Sequence, residues 1–181
     1  MLLALPAVAQ EAPSAWTLAP HPRVWMTPAR LARLRADAGA STSRWVRVRQ
    51  HADTALAQAP PDVESLLALG LAYQVTGNAA YCRKAAEGMM PITASVDIIR
   101  GDSFFNVKIY VPRVAAAFDW CHEQLTPAEK ARFAGWLMDA AHRTWNRLPG
   151  DSVWGLDDPS NNYFHGFLTT WLAAVAAHGD D

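Results

Sequence analysis

Apolar residues recur every three or four positions along most of this chain, and this spacing constrains the fold more than any other feature of the sequence. Trp45, Val48 and Ala52 show the pattern, which places their side chains on one face of a helix. No segment shows the alternation of apolar and polar residues that is typical of a half-buried strand. The sequence therefore predicts an all-α fold, in which short turns join the helices into antiparallel pairs.

Capping and turn residues divide this pattern into seven predicted helices. Their ranges are about 27–38, 43–60, 65–73, 79–89, 106–124, 126–145 and 161–177, and Gly77-Asn78 is predicted to end the third helix. The sharpest boundary is Thr126-Pro127-Ala128-Glu129, a capping box with proline at the first helical position. Residues 91–105 lack clear periodicity, and the polar segment 148–160 is rich in Gly and Asp, so both are predicted to be irregular.

Size and charge limit the number of domains and the partners. A chain of 181 residues that is 51% hydrophobic can bury one sizeable core, so one domain is expected. The formal net charge is −1, which gives no overall field that would favour nucleic acid, although a local basic cleft is compatible with it. No apolar run reaches the roughly 18–20 residues that span a bilayer, so we expect no membrane partner.

The first residues, MLLALPAVAQ, form a short apolar run that ends in a small-x-small pattern at Ala7-Val8-Ala9. This pattern predicts a signal peptide over residues 1–9 and export to the periplasm or the medium; the alternative is a frayed apolar N-terminus. A lead over residues 10–20 would precede a helical domain over 21–181. Cys82 and Cys121 could form one bridge in an exported protein, but we expect two unbridged, buried side chains on neighbouring helices.

The chain has eight tryptophans, and indole rings can stack on sugar rings. Helical spacing assigns four of them to the core, namely Trp45, Trp120, Trp136 and Trp171. Trp154 differs, because it lies in the predicted loop before the last helix and is placed to line a cleft.

Polar side chains are concentrated where the last predicted helix begins, at Asn161, Asn162, Tyr163 and His165. Ser160 or Asn161 could simply cap the helix, which explains one polar residue but not the group. Asn162 and His165 are three positions apart and share a helix face, and a helix N-terminus favours an anion such as a sugar carboxylate. The alternative for His165 is a hydrogen-bonded histidine between helices.

Other chemistry-bearing residues give weaker signals. Asp119, His122 and Glu123 are predicted to form a solvated helix end and not a metal site, because they lack a metal-binding spacing such as HExxH. The sequence contains no glycine-rich phosphate loop and no nucleophile elbow. We therefore expect neither a cofactor nor a metal.

Three stretches resemble heparinase II/III-like and alginate-lyase-like polysaccharide lyases. Residues 21–35 (HPRVWMTPARLARLR) resemble the opening of these enzymes, and 117–120 (AFDW) followed by 125–129 (LTPAE) is similar to their recurring helix pair. Asn161-Asn162 followed by His165 resembles the start of an inner helix of their toroid. The resemblance covers residues 21–181 and implies part of an (α/α) toroid that acts on a uronic-acid-containing polysaccharide.

The chemistry that the resemblance implies is β-elimination, in which an amide or cation neutralises the C5 carboxylate and a histidine or tyrosine removes the C5 proton. Asn162 or Asn161 would neutralise the carboxylate. His165 would be the base or would position the substrate, since Tyr163-Phe164 separates it from the asparagines that it often follows directly in the family. The catalytic tyrosine and a β-rich domain are expected beyond Asp181, and the portion alone is expected to be inactive.

Two other functions are compatible with an all-α chain. A glycoside hydrolase on a similar toroid would need two carboxylates across a cleft, and the candidates are Asp157 or Asp158 with Asp119 or Glu123. A non-catalytic helical module would bind carbohydrate or peptide without chemistry. The reaction product separates the two enzymes, because only a lyase leaves an ultraviolet-absorbing unsaturated uronate.

Overall fold

The fold is all-α throughout the residues that the computed structural model describes, which are 18–97, 105–147 and 161–180. The helices in chain order are α1 (Pro28–Gly39), α2 (Ser43–Leu56), α3 (Ser65–Thr76), α4 (Ala79–Ser95), α5 (Phe105–Cys121), α6 (Pro127–Arg147) and α7 (Asn161–Ala177). A 3-10 turn at His122–Gln124 follows α5. These ranges contain no strand, and none of their helices is long and apolar enough to cross a membrane. The predicted all-α class is confirmed.

The helices pack in two layers that alternate along the chain. The odd-numbered helices contact one another in order, α1 with α3, α3 with α5 and α5 with α7, and the even-numbered helices do the same, α2 with α4 and α4 with α6. Each helix also contacts the helix that follows it in this numbering. Alternate helices therefore lie side by side, with each helical pair bridging the two layers.

The core lies between these layers and is built from α3 to α7, with a smaller contribution from α2. Leu66, Leu69, Phe118, Phe133 and Leu137 are fully buried there. α3 is apolar almost all round, as the sequence indicates, because it contacts α1, α2, α4 and α5. Its last turn ends at a glycine in the left-handed conformation, Gly77 (φ 74°), whose N–H donates to the Tyr73 carbonyl.

The predicted start of α6 is confirmed in detail. The Glu129 N–H donates to Thr126 Oγ1 (3.3 Å), and the Thr126 N–H donates to Glu129 Oε2 (2.7 Å), which is the reciprocal pattern of a capping box. Arg83 of α4 also contacts the Glu129 carboxylate. The local capping signal thus also fixes the position of α6 against α4.

Two predicted boundaries are wrong. α2 ends at Leu56 and not at 60, because the next two N–H groups bond carbonyls only three residues back and so tighten the chain into a turn. α4 continues to Ser95 instead of 89, through Pro91, so the first part of the predicted irregular segment is helical. Burial of Ile92 in the core holds this extra turn. Residues 98–104 lie outside the described part of the chain.

The expectation of two unbridged cysteines is also wrong. Cys82 of α4 and Cys121 at the end of α5 form a disulfide, with their Cα atoms 5.3 Å apart. The two helices pack closely enough to bring the buried sulfur atoms together, which helical spacing alone does not show. The bridge joins one helix of each layer.

Gly88 marks a close approach between α4 and the segment before α3. A Cβ atom built on this glycine would lie 2.9 Å from the Leu66 and Pro61 side chains, and 3.3 Å from the Pro61 carbonyl oxygen. Gly135 on α6 provides a contrast, because a Cβ atom there would have no such neighbour within 4 Å.

Candidate functional site

The predicted site residues lie at the beginning of α7, a helix of the odd-numbered layer. α7 begins at Asn161, as predicted, so Asn161, Asn162, Tyr163 and His165 occupy its first turns. Their side chains, and the whole of Trp154, lie outside the described residues. The fold therefore fixes where this group stands on the backbone, and the roles of its side chains stay predictions.

A second polar group, which sequence reasoning missed, surrounds Asp119 on α5. Asp119 is 1% exposed, and its carboxylate accepts hydrogen bonds from the Arg23 N–H (2.9 Å to each oxygen) and the Val24 N–H (2.7 Å). The ring nitrogen Nδ1 of His21 lies 2.6 Å from the same carboxylate. Asp119 thus holds the extended segment before α1 against α5, and the prediction that it lies at a solvated helix end is wrong.

The group extends to the end of α7 through Asp180. One oxygen of Asp180 lies 2.9 Å from His21 Nε2, and the other lies 2.9 Å from His122 Nε2. The two imidazole rings stack with their centroids 3.8 Å apart. His122 is consequently half-buried, whereas the sequence pattern predicted a wet position. We call His21, Arg23, Asp119, His122 and Asp180 the histidine cluster.

Arg23 completes the histidine cluster. Its Nη1 donates to the carbonyls of His178 (2.9 Å) and Val175 (3.3 Å) at the C-terminal end of α7, where a cation is favourable. Its Nη2 lies 2.6 Å from His21 Nε2. The side chain therefore joins the segment before α1 to the last turn of α7.

The donor set of the histidine cluster has the composition of a metal site. One ligand atom from each of His21, His122 and Asp180 lies within 4.8 Å of the others. Asp119 contacts the other ring nitrogen of His21 and orients the ring, as a carboxylate does behind a metal-bound histidine. However, a metal ion sits about 2.0–2.1 Å from a ligating imidazole nitrogen. Arg23 Nη2 already occupies that side of His21 Nε2, and its positive charge opposes a cation. The residues fit a structural clamp better than a metal centre.

Burial and mutual contact shift the pKa values within the cluster. The pKa of His122 is lowered below 6.5, mainly because the ring is buried and to a smaller extent because the His21 ring lies beside it. The hydrogen bond to Asp180 offsets only part of this decrease. Burial alone would raise the pKa of Asp180, but the hydrogen bonds from His21 and His122 outweigh it and hold this pKa below 3.8. The cluster is thus arranged to keep Asp180 ionised and His122 neutral near pH 7.

An open apolar groove of about 520 Å³ lies between α2, α3 and the segment before α1. We call it the Trp25 groove. Its apolar lining consists of Trp25, Val48, Leu67, Ala68, Leu71 and Trp120. Its polar rim consists of Arg47, His51 and Glu64. An apolar surface with a few polar groups at its edge is typical of a ligand site.

Of the four tryptophans that the sequence assigns to the core, three are confirmed there and one is not. Trp45 and Trp120 are buried, and Trp136 is partly buried against the core, as predicted. Trp171 is 56% exposed, so its assignment to the core is wrong. α7 packs on α5 and α6 through the adjacent Leu172 and Ala173, and Trp171 lies on the face that neither helix covers.

Known proteins offer no further guide to this site. The chain matches no protein-family model, no curated protein and no solved structure.

Proposed function

We propose that this chain is the N-terminal (α/α) toroid portion of an exported polysaccharide lyase, which cleaves a uronic-acid-containing polysaccharide by β-elimination. The observation that carries the proposal is the alternation of the helices between two layers. Successive helical hairpins that surround an axis produce this arrangement, because every second helix faces the inside. The seven helices then correspond to an arc of the toroid, with the odd-numbered helices as its inner layer.

The position of α7 supports the assignment of the site. α7 contacts α5 in the odd-numbered layer and begins at Asn161. Asn162 and His165 therefore lie near the N-terminus of an inner helix, where the free backbone N–H groups and the helix dipole favour an anion. The C5 carboxylate of a uronate supplies such an anion.

The proposed chemistry needs two of these groups. The Asn162 amide hydrogen-bonds the C5 carboxylate and stabilises the charge that develops as the C5–H bond breaks. His165 accepts that proton or orients the sugar, the C–H electrons form the C4–C5 double bond, and the bond from C4 to the glycosidic oxygen breaks. The leaving oxygen takes a proton from a further acid.

Export is part of the proposal. A disulfide is typical of oxidising compartments, so the bridge between Cys82 and Cys121 supports a periplasmic or secreted location. It agrees with the signal peptide that the sequence predicts over residues 1–9.

The hydrolase alternative receives less support from the described residues. Asp119, one of its candidate carboxylates, is buried and bonded to Arg23, Val24 and His21. A carboxylate held in this way is not free to protonate a glycosidic oxygen or to activate water.

The test is to incubate the full-length enzyme, of which we propose this chain to be a portion, with several uronic-acid polysaccharides and with a neutral glucan, and to record ultraviolet absorbance and reducing ends. We expect absorbance to rise with a uronate polymer only. Asn162→Ala should remove about 3 kcal/mol of transition-state stabilisation, which lowers the rate roughly 100-fold. Asn146→Ala, an amide deletion at an exposed position on α6, is the matched control and should keep the rate.

Two results would contradict the proposal. New reducing ends without absorbance would indicate hydrolysis, and binding without any product would indicate a non-catalytic module. A loss of thermal stability in Asn162→Ala with an unchanged rate would show that the asparagine only caps α7.

A further inference from the structure

The positive charge of this nearly neutral chain is concentrated in its first helical pair. Residues 28–56, which include the whole of α1 and α2, contain six arginines and two acidic residues, Asp37 and Asp53. The formal charge of this segment is +4, against −1 for the whole chain. The remainder of the protein is correspondingly acidic, so the surface of α1 and α2 is a local cationic region.

Three of these arginines are available to a ligand. Arg33 of α1 and Arg44 and Arg47 of α2 are exposed, and none of the three forms an ion pair within the described residues. Arg49, in contrast, pairs with Asp53 one turn further on. Unpaired guanidinium groups are the side chains best suited to bidentate contact with carboxylates.

The free arginines border two adjoining grooves. Arg47 stands on the rim of the Trp25 groove, and Arg33 and Arg44 line a second groove of about 420 Å³ between α1 and α2. Val48 and Leu71 line both grooves, so the two form one continuous surface. We call this surface the α1–α2 face.

Trp25 is held on the α1–α2 face in an unusual conformation. Its φ of 55° lies in the left-handed region, which a bulky aromatic residue rarely adopts. Its carbonyl accepts from Arg30 Nη1 (2.7 Å), and the preceding Val24 carbonyl accepts from Trp120 Nε1 (2.8 Å). The outcome is an indole that is 43% exposed at the edge of an apolar groove. Strained backbone of this kind clusters at active sites and ligand-binding sites, which supports a binding role for Trp25.

We propose that the α1–α2 face is a binding site for an anionic polysaccharide, separate from the residues at the start of α7. The apolar face of a sugar ring stacks on the Trp25 indole, and sugar carboxylates pair with Arg33, Arg44 and Arg47. The choice of a uronate polymer as the ligand rests on the proposed function; the site itself rests on the charges and the grooves described above.

The carboxylates on the rims favour a polysaccharide over nucleic acid. Glu64 borders the Trp25 groove and Asp37 borders the second groove. A carboxylate repels either polyanion, but it can accept hydrogen bonds from the free hydroxyl groups of a sugar ring, which offset the repulsion, whereas an internal nucleotide of DNA has no free hydroxyl. Glu64 is fixed in place by Arg113, whose Nη2 donates to it at 2.8 Å.

The test measures the affinity of the full chain for sodium polygalacturonate by isothermal titration calorimetry at two salt concentrations. The variant Arg44→Gln/Arg47→Gln should weaken binding at least about tenfold and reduce the salt dependence. Arg132→Gln/Arg143→Gln removes the same charge from exposed positions on α6 and should stay within about twofold of the wild type. Trp25→Ala should weaken binding without changing the salt dependence.

Measurements with two further polymers identify the ligand, and a product measurement separates this proposal from the lyase proposal. Dextran, a neutral polymer, should not bind, and a single-stranded DNA of similar charge should bind more weakly than the polyuronate. Equal losses in both double variants, or tighter binding of DNA, would overturn the proposal. If the chain binds polyuronate with the losses expected for the arginine and Trp25 variants, but the full-length enzyme forms no unsaturated product, only the lyase function is refuted. Thermal unfolding of each variant verifies that the fold is kept.

Discussion

Removal of the disulfide between Cys82 and Cys121 should cost the protein a large part of its stability. The bridge spans 39 residues of sequence. In the chain-entropy model, opening a loop of this size returns about 13 cal/mol/K to the unfolded chain, or about 4 kcal/mol at 25 °C. Both cysteines are fully buried, so the double variant Cys82→Ala/Cys121→Ala adds a small packing loss.

Urea unfolding followed by circular dichroism measures this change. With an m-value of about 2 kcal/mol/M, a loss of 4 kcal/mol lowers the midpoint by about 2 M. A reducing agent should shift the midpoint of the wild type but not that of the variant, which provides the control. The reasoning is refuted if the free energy of unfolding changes by less than about 1 kcal/mol, or if the native, unreduced protein contains two titratable thiols.

Three further predictions concern packing, pH and the exposed face of α7. Gly88→Ala should lower the free energy of unfolding in urea by about 1–3 kcal/mol, because the new methyl group would overlap its neighbours. Gly135→Ala has open space around it and should raise the free energy of unfolding by up to about 1 kcal/mol. A change of the same sign in both variants would contradict the packing described. The pKa values of His122 and Asp180 are lowered by folding, so the unfolded chain binds more protons and the free energy of unfolding should fall as the pH decreases below 6.5 and again below 3.8. His122→Gln should flatten the first of these steps in thermal melts, and an unchanged slope would show that another group titrates there. The exposed Trp171 should bind a hydrophobic dye, and Trp171→Ser should reduce the dye fluorescence; a dye-silent wild type would mean that this face is covered in solution.

Local signals predicted most of the helices. The capping box at Thr126 and Glu129 and the left-handed glycine Gly77 act within one turn of the chain, so their effects can be read from adjacent residues. Helical periodicity likewise predicted α7 from 161 to 177. Periodicity does not show which face of a helix the neighbouring helices cover. For that reason it wrongly predicts that Trp171 lies in the core.

The histidine cluster could not be predicted in this way. Asp119 meets Arg23 across 96 positions of sequence, and no local pattern records that pairing. The HPR sequence at 21–23 is the available signal, because no acidic residue lies near this histidine and this arginine in the sequence. The disulfide was missed for the same reason, since it depends on the packing of α4 against α5.

The separation between His21 and Asp180, 159 positions, also determines when folding can be completed. During synthesis the segment before α1 leaves the ribosome early, and Asp119 follows with α5. Arg23 still lacks the Val175 and His178 carbonyls, and His21 lacks Asp180, until the end of α7 has emerged. The earliest part of the described chain therefore gains its last contacts only when α7 is complete, and their long sequence separation makes this closure the step that we expect to be slow.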